Sequence, residues 1–174
     1  EAEINAENNY MWSEAVEVAK AHKAHIMVAV LGEEEKLLER GKLFTKAMAV
    51  CCKQKYATGV YTSGVVFEPR FYEGLADMLK EDELPIFNWV WFGLYRSEGG
   101  LNGYTYGMDV FGKEEMEVLN TDAEPEELRD FLASLASYVL ACDVTLQDGE
   151  TIVFSADDKH TITRSPGVSL PEEQ

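Results

Sequence analysis

Ile86-Phe87-Asn88-Trp89-Val90-Trp91-Phe92-Gly93-Leu94-Tyr95-Arg96, then Glu98-Gly99-Gly100-Leu101-Asn102-Gly103, then Tyr104-Thr105-Tyr106-Gly107-Met108-Asp109-Val110-Phe111 is the stretch on which the fold turns. Its two flanks are aromatic and β-branched, its middle is rich in glycine and asparagine, and no helical periodicity separates them. Two strands joined without a crossover run antiparallel, so this reads as a β-hairpin with a long loop. Alternation along the first strand places Trp89 and Trp91 on one face and Val90 and Phe92 on the other.

Working outward toward the C-terminus, Glu115 to Leu119 alternates polar and apolar positions and reads as a third strand, with a short helix as the alternative. Thr121 with Glu124 forms a capping box and Pro125 suits a first turn. Leu128, Phe131, Leu132, Leu135 and Val139 follow at helical spacing to about Cys142. Val144 to Leu146 and Thr151 to Ser155 flank Asp148-Gly149, a hairpin signal. A last strand, His160 to Arg164, follows Ala156-Asp157-Asp158-Lys159.

Toward the N-terminus the pattern changes to alternation of helix and strand. A helix is expected from about Asn9 to Lys23, carrying Trp12, Ala15, Val16 and Ala19 on one face, and then a strand buried on both sides, His25 to Leu31, ending at Gly32. A second helix spans about Glu33 to Lys55, with three glutamates in its first turn. Thr58 to Glu68 reads as strand with a turn or bulge at Ser63-Gly64, and Pro69 opens a helix to about Glu83. The expected fold is α+β: a mixed, largely antiparallel β-sheet with about four helices packed over it. It forms a single domain over residues 1–164, followed by a polar tail, 165–174.

The chain has 174 residues, 46% hydrophobic and 27% charged, which suffices for a hydrophobic core without a metal or disulfide staple. Its net charge of −17 repels phosphate backbones and favours cationic partners, so nucleic acid is excluded and a basic protein is the expected partner. The charge is uneven. Residues 20–55 hold eight basic side chains against four acidic ones, while 109–150 hold twelve acidic ones against Lys113 and Arg129. The plain alternative is a solvated surface that maintains solubility. Cys51, Cys52 and Cys142 are an odd count without metal-ligand or disulfide spacing, which points to a reducing cytoplasm. The apolar run at Ile26 to Leu31 is far below the roughly 20 residues of a membrane span. No leader precedes it, although a chain that opens at Glu1 without methionine reads as a trimmed piece.

No dinucleotide fingerprint, phosphate loop or nucleophile elbow is present, so no cofactor and no metal are expected. His22 and His25 do not share a helical face, and the vicinal Cys51-Cys52 pair continues an apolar stripe. Two constellations remain. Asp109, Glu115 and Glu117, beside Glu114 and with His160, suit general acid/base work in composition, against the alternative of a solvated rim. Trp89, Trp91, Tyr104 and Tyr106 form an aromatic hairpin that serves as core on at least one face and as a binding platform if the other is exposed.

Val60-Tyr61-Thr62-Ser63-Gly64, Asn88-Trp89-Val90-Trp91-Phe92-Gly93, Tyr104 through Glu117 and Asp148-Gly149-Glu150-Thr151 together resemble the bacterial domain of unknown function 4261 family over about Trp12 to Val168. The Tyr-Gly-x-x-x-Phe-Gly-x-x-Glu-x-Glu stretch is its most specific part. The resemblance implies a bacterial, cytoplasmic protein with special demands on Tyr106, Gly107, Phe111, Gly112, Glu115 and Glu117, and a further N-terminal portion in family members; it names no chemistry. Two functional expectations follow. The first is a non-enzymatic protein-binding module, in its sharpest form an immunity-type inhibitor of a basic partner. The alternative is a hydrolase or metal-dependent enzyme using the carboxylate cluster. The residues leave the oligomeric state open.

Overall fold

The hairpin at the centre of the sequence is the centre of the fold in the computed structural model, which describes residues 1–155 and 158–170. Strand β3 (Trp91–Ser97) pairs antiparallel with β4 (Gly100–Tyr106), and β5 (Glu117–Thr121) pairs antiparallel with β4 on its other side. The loop is shorter than expected: Ser97 is already in register with Gly100, so Glu98-Gly99 makes the turn and Gly100 to Gly103 are strand. Ile86 to Trp89, read as strand, instead forms one helical turn after Pro85. The buried Asn88 amide donates to the Tyr72 carbonyl at 3.0 Å, and the Trp89 indole donates to Thr45 Oγ1 at 2.6 Å. These two tertiary hydrogen bonds outweigh the β propensity of an aromatic segment.

The remaining strands form two further small antiparallel sheets. Thr58 to Glu68 is a hairpin, β1 (Val60–Thr62) with β2 (Val65–Phe67), because Ser63 and Gly64 both take positive φ and reverse the chain. Near the C-terminus β6 (Thr151–Ser155) pairs with β7 (Asp158–Thr161), and His160 lies on β7. Val144 to Leu146 is not a strand, so Asp148-Gly149 turns the chain into β6 without a partner strand before it. The expected connection residues 156–157 and the end of the tail, 171–174, lie outside the described residues. The protein is α+β, with every observed strand pair antiparallel.

The helices flank these sheets. They comprise short α1 (Ala2–Asn5), α2 (Ala15–Ala21), α3 (Leu37–Cys52), α4 (Pro69–Ala76), the turn α5 (Ile86–Trp89) and α6 (Pro125–Ala141). The helix expected from Asn9 begins only at Ala15, as α2, because the buried Asn9 amide is committed to the Val66 carbonyl at 2.8 Å. The N-cap of α6 is Glu124, whose N–H donates to the Glu127 carboxylate, while Thr121 accepts from Ala123 N–H in the preceding turn. The segment His25 to Leu31 is the largest departure: it is neither strand nor buried. No described helix is long and apolar enough to cross a membrane.

The main core lies between α6 and the β3-β4-β5 sheet, where Leu128, Leu132, Leu135 and Val139 meet Phe92, Leu101 and Met108. Gly103 permits this approach, since a Cβ there would stand 2.9 Å from both Leu128 Cδ2 and Leu132 Cδ1. Leu132 is fully buried. Leu132→Ala is expected to cost about 3 kcal/mol, read as a lower midpoint in denaturant with unchanged slope.

Candidate functional site

After Tyr106, the last residue of β4, the chain passes through Gly107-Met108, makes one 3₁₀ turn at Asp109–Phe111, reverses at Gly112 and returns through Glu115 to β5 at Glu117. Glu115 closes this loop. Its Oε1 accepts from Gly107 N–H at 2.7 Å and Met108 N–H at 2.8 Å, and its Oε2 accepts from the Thr105 hydroxyl at 2.6 Å. Thr105 Oγ1 in turn accepts from Met116 N–H at 2.8 Å. Thr105 and Met108 are fully buried, so the carboxylate satisfies donors that water cannot reach.

The aromatic residues of the motif are equally structural. Phe111 lies against the Trp89 ring at 4.9 Å between centroids and packs onto Gly41 of α3, where a Cβ would stand 2.6 Å from its ring. Trp89 and Trp91 do not share a face, because the helical turn breaks the alternation between them. Trp89 joins the core beneath α6, and Trp91 joins a second cluster with Phe67 and Tyr72 under the β1-β2 hairpin. Both are buried, so the condition for a tryptophan platform, exposure of one face, is not met. Tyr104 is half-buried across Gly93, whereas Tyr106 is 40% exposed.

Two clefts flank the loop. The larger, about 930 Å³, has an apolar floor from α6 that includes Phe131, Leu132 and Val139, an opposite wall from Leu146 and Ile152, and a charged rim. Glu115, Glu117 and His160 line it together, as do Glu114 and Arg164, which form an ion pair. The smaller, about 370 Å³, is lined by Leu37, Phe44, Trp89, Tyr106, Asp109 and Val110. Three of the four carboxylate and histidine candidates therefore meet in one cleft, and Asp109 stands in the other.

Within the larger cleft the two carboxylates are already engaged. Glu117 Oε2 accepts from the Ser169 N–H at 3.0 Å and Ser169 hydroxyl at 2.8 Å, and Val168 N–H donates to Glu117 at 3.2 Å. This ties residues 168–169 of the tail to β5, a role that no motif in the sequence signals. The His160 ring tilts against Phe131 at 4.6 Å between centroids. Among the described residues no group of three or more His, Cys, Asp or Glu side chains is arranged to hold a metal. Burial pushes the Cys52 thiol up to about 11, which keeps it protonated in the second cluster.

No curated protein and no solved structure matches the chain. Residues 104–174, which contain the Glu115 loop and every residue lining the larger cleft, match the family model described as a domain of unknown function (DUF4261), so the resemblance rests on this C-terminal segment.

Proposed function

We propose that the chain is a non-enzymatic protein-binding module that captures a basic partner through the carboxylates of residues 109–150. What supports this reading is their exposure: of twelve acidic side chains in that stretch all but Glu115 and Glu117 are exposed. The two basic residues there are half-buried and neutralised in part by Asp143 and Asp130, at 2.6 and 2.9 Å. Such a surface raises the encounter rate with a cationic protein. With Trp89 and Trp91 in the core, the apolar contact passes to Tyr106 and Val110, exposed on either side of Asp109 at the smaller cleft. An immunity-type inhibitor of a basic toxin in a bacterial cytoplasm is the form of this reading that best fits so acidic a chain.

The second reading, a hydrolase or metal-dependent enzyme, draws on the convergence of Glu115, Glu117 and His160 in the larger cleft. It ranks below the first because both carboxylates hold backbone, and neither can accept a substrate proton without releasing a loop or the tail. The test of charge belongs on exposed carboxylates away from the Glu115 and Glu117 clamps; of those chosen, Glu150 accepts the Gln147 N–H at 2.9 Å in an exposed turn. Asp122→Lys, Glu126→Lys and Glu150→Lys together are expected to slow association with the basic partner at least tenfold at low ionic strength and to flatten its salt dependence. Dissociation should be unchanged. Stopped-flow rates across a salt series provide the check, and equal rates for both proteins would refute the electrostatic reading.

A further inference from the structure

Residues 25–31, His25-Ile26-Met27-Val28-Ala29-Val30-Leu31, are the most apolar run in the chain outside the core, and they are exposed. Ile26, Met27 and Leu31 are 81%, 85% and 91% accessible. The backbone is extended at both flanks, with ψ of 145° at His22 and 140° at Glu33. Among the described residues its one hydrogen bond runs from Arg40 Nη2 to the Val30 carbonyl, at 3.4 Å. Val28 and Val30 are half-buried toward the body of the protein. A β-branched, apolar segment whose backbone, apart from the Val30 carbonyl, makes no hydrogen bond among the described residues has the composition and state of a strand that lacks a neighbour.

We propose that this segment pairs antiparallel with the same segment of a second copy, about a two-fold axis through Val28. The assignment goes beyond the acidic binding face and uses none of its residues. Three observations select this occupant. In an extended segment Val28 and Val30 present their backbone groups on the edge where the Val30 carbonyl accepts from Arg40, and His25, Met27, Ala29 and Leu31 present theirs on the other, where no hydrogen bond is made among the described residues. A centre on Val28 matches that open edge to itself, setting Met27 opposite Ala29 and His25 opposite Leu31, so that the apolar residues align over their full length.

Charge fixes the direction. In this register Lys23 of each copy stands opposite Glu33 of the other, whereas parallel in-register pairing would set Lys23 on Lys23 and Glu33 on Glu33. Glu33 already meets Lys36 at 2.8 Å, so the second cation adds to an existing exposed pair. These flanking ion pairs specify register more than affinity. The location also suits self-association in so acidic a protein, because residues 20–55 carry the chain's basic excess and repulsion between copies is least there.

Sedimentation equilibrium of the full chain from micromolar to submillimolar concentration tests the proposal. A reversible dimer is expected. Ala29→Pro removes one ladder N–H from each copy and should weaken the dimer on the order of tenfold or more. Lys23→Glu and Glu33→Lys should each weaken it a few-fold, and the two changes combined should restore it. Unaltered circular dichroism of each variant confirms the fold. In amide exchange, protection at Met27 and Ala29 should rise with concentration. A chain that stays monomeric throughout, a dimer indifferent to Ala29→Pro, or protection of residues 25–31 in the monomer would overturn the assignment; the last would give the segment to another strand of its own chain.

Discussion

Glu115→Ala is expected to cost about 5 kcal/mol of folding stability. The carboxylate is the shared acceptor for Gly107 N–H, Met108 N–H and the Thr105 hydroxyl. Removing it orphans buried donors, at roughly 1–3 kcal/mol each. Glu115→Gln can keep its oxygen on the two N–H donors, but its NH₂ then faces the Thr105 hydroxyl, which must turn from donor to acceptor, so an intermediate loss of about 2 kcal/mol is expected. Denaturant titration of the three proteins gives the order directly. A loss below about 1 kcal/mol for Glu115→Ala would mean that the loop holds without its clamp.

Gly107→Ala should cost on the order of 4 kcal/mol, for two reasons that add. Gly107 has φ of +117°, which a side chain disfavours, and a Cβ there would lie 2.6 Å from the Trp89 backbone carbonyl oxygen. That oxygen also accepts from the Ser63 hydroxyl at 2.9 Å, and the same hydroxyl would stand 3.6 Å from the new Cβ, so displacing the carbonyl disturbs a hydrogen bond as well. Thermal unfolding should show a fall in midpoint of roughly 8–16 °C, from about 2–4 °C per kcal/mol for a chain of this length. Near-native stability would mean that the loop shifts away from Trp89 at small cost.

These two results would also explain why Tyr-Gly-x-x-x-Phe-Gly-x-x-Glu-x-Glu stands out in the sequence. Its glycines, Phe111 and Glu115 build a loop, and Glu117 docks the tail; the motif read as candidate chemistry is largely architecture. Composition alone could not separate those readings, because a carboxylate bound to backbone amides and one poised as a base look alike in one dimension. What was legible was local. The hairpin, the α6 stripe and the turns at Ser63-Gly64 and Asp148-Gly149 follow from short-range propensity and periodicity.

The features that escaped depend on distant partners. Nothing near Trp89 announces that Thr45, 44 residues away, receives its indole N–H and holds it in a helical turn. Asn9 delays the start of α2 through Val66, 57 residues away. The segment His25 to Leu31 has the strand pattern in full, yet a strand also requires a neighbour, which pattern cannot supply. The acidic surface was legible because charge needs no partner to be counted.

Capture from a native lysate on the immobilised chain at low and moderate salt, beside the Asp122→Lys, Glu126→Lys, Glu150→Lys protein, tests the binding reading most directly. The native chain should retain a basic protein at low salt and release it at moderate salt, and the charge-reversed chain should retain far less. Recovery of no partner at low salt, or of an acidic partner indifferent to salt and to charge reversal, would contradict it.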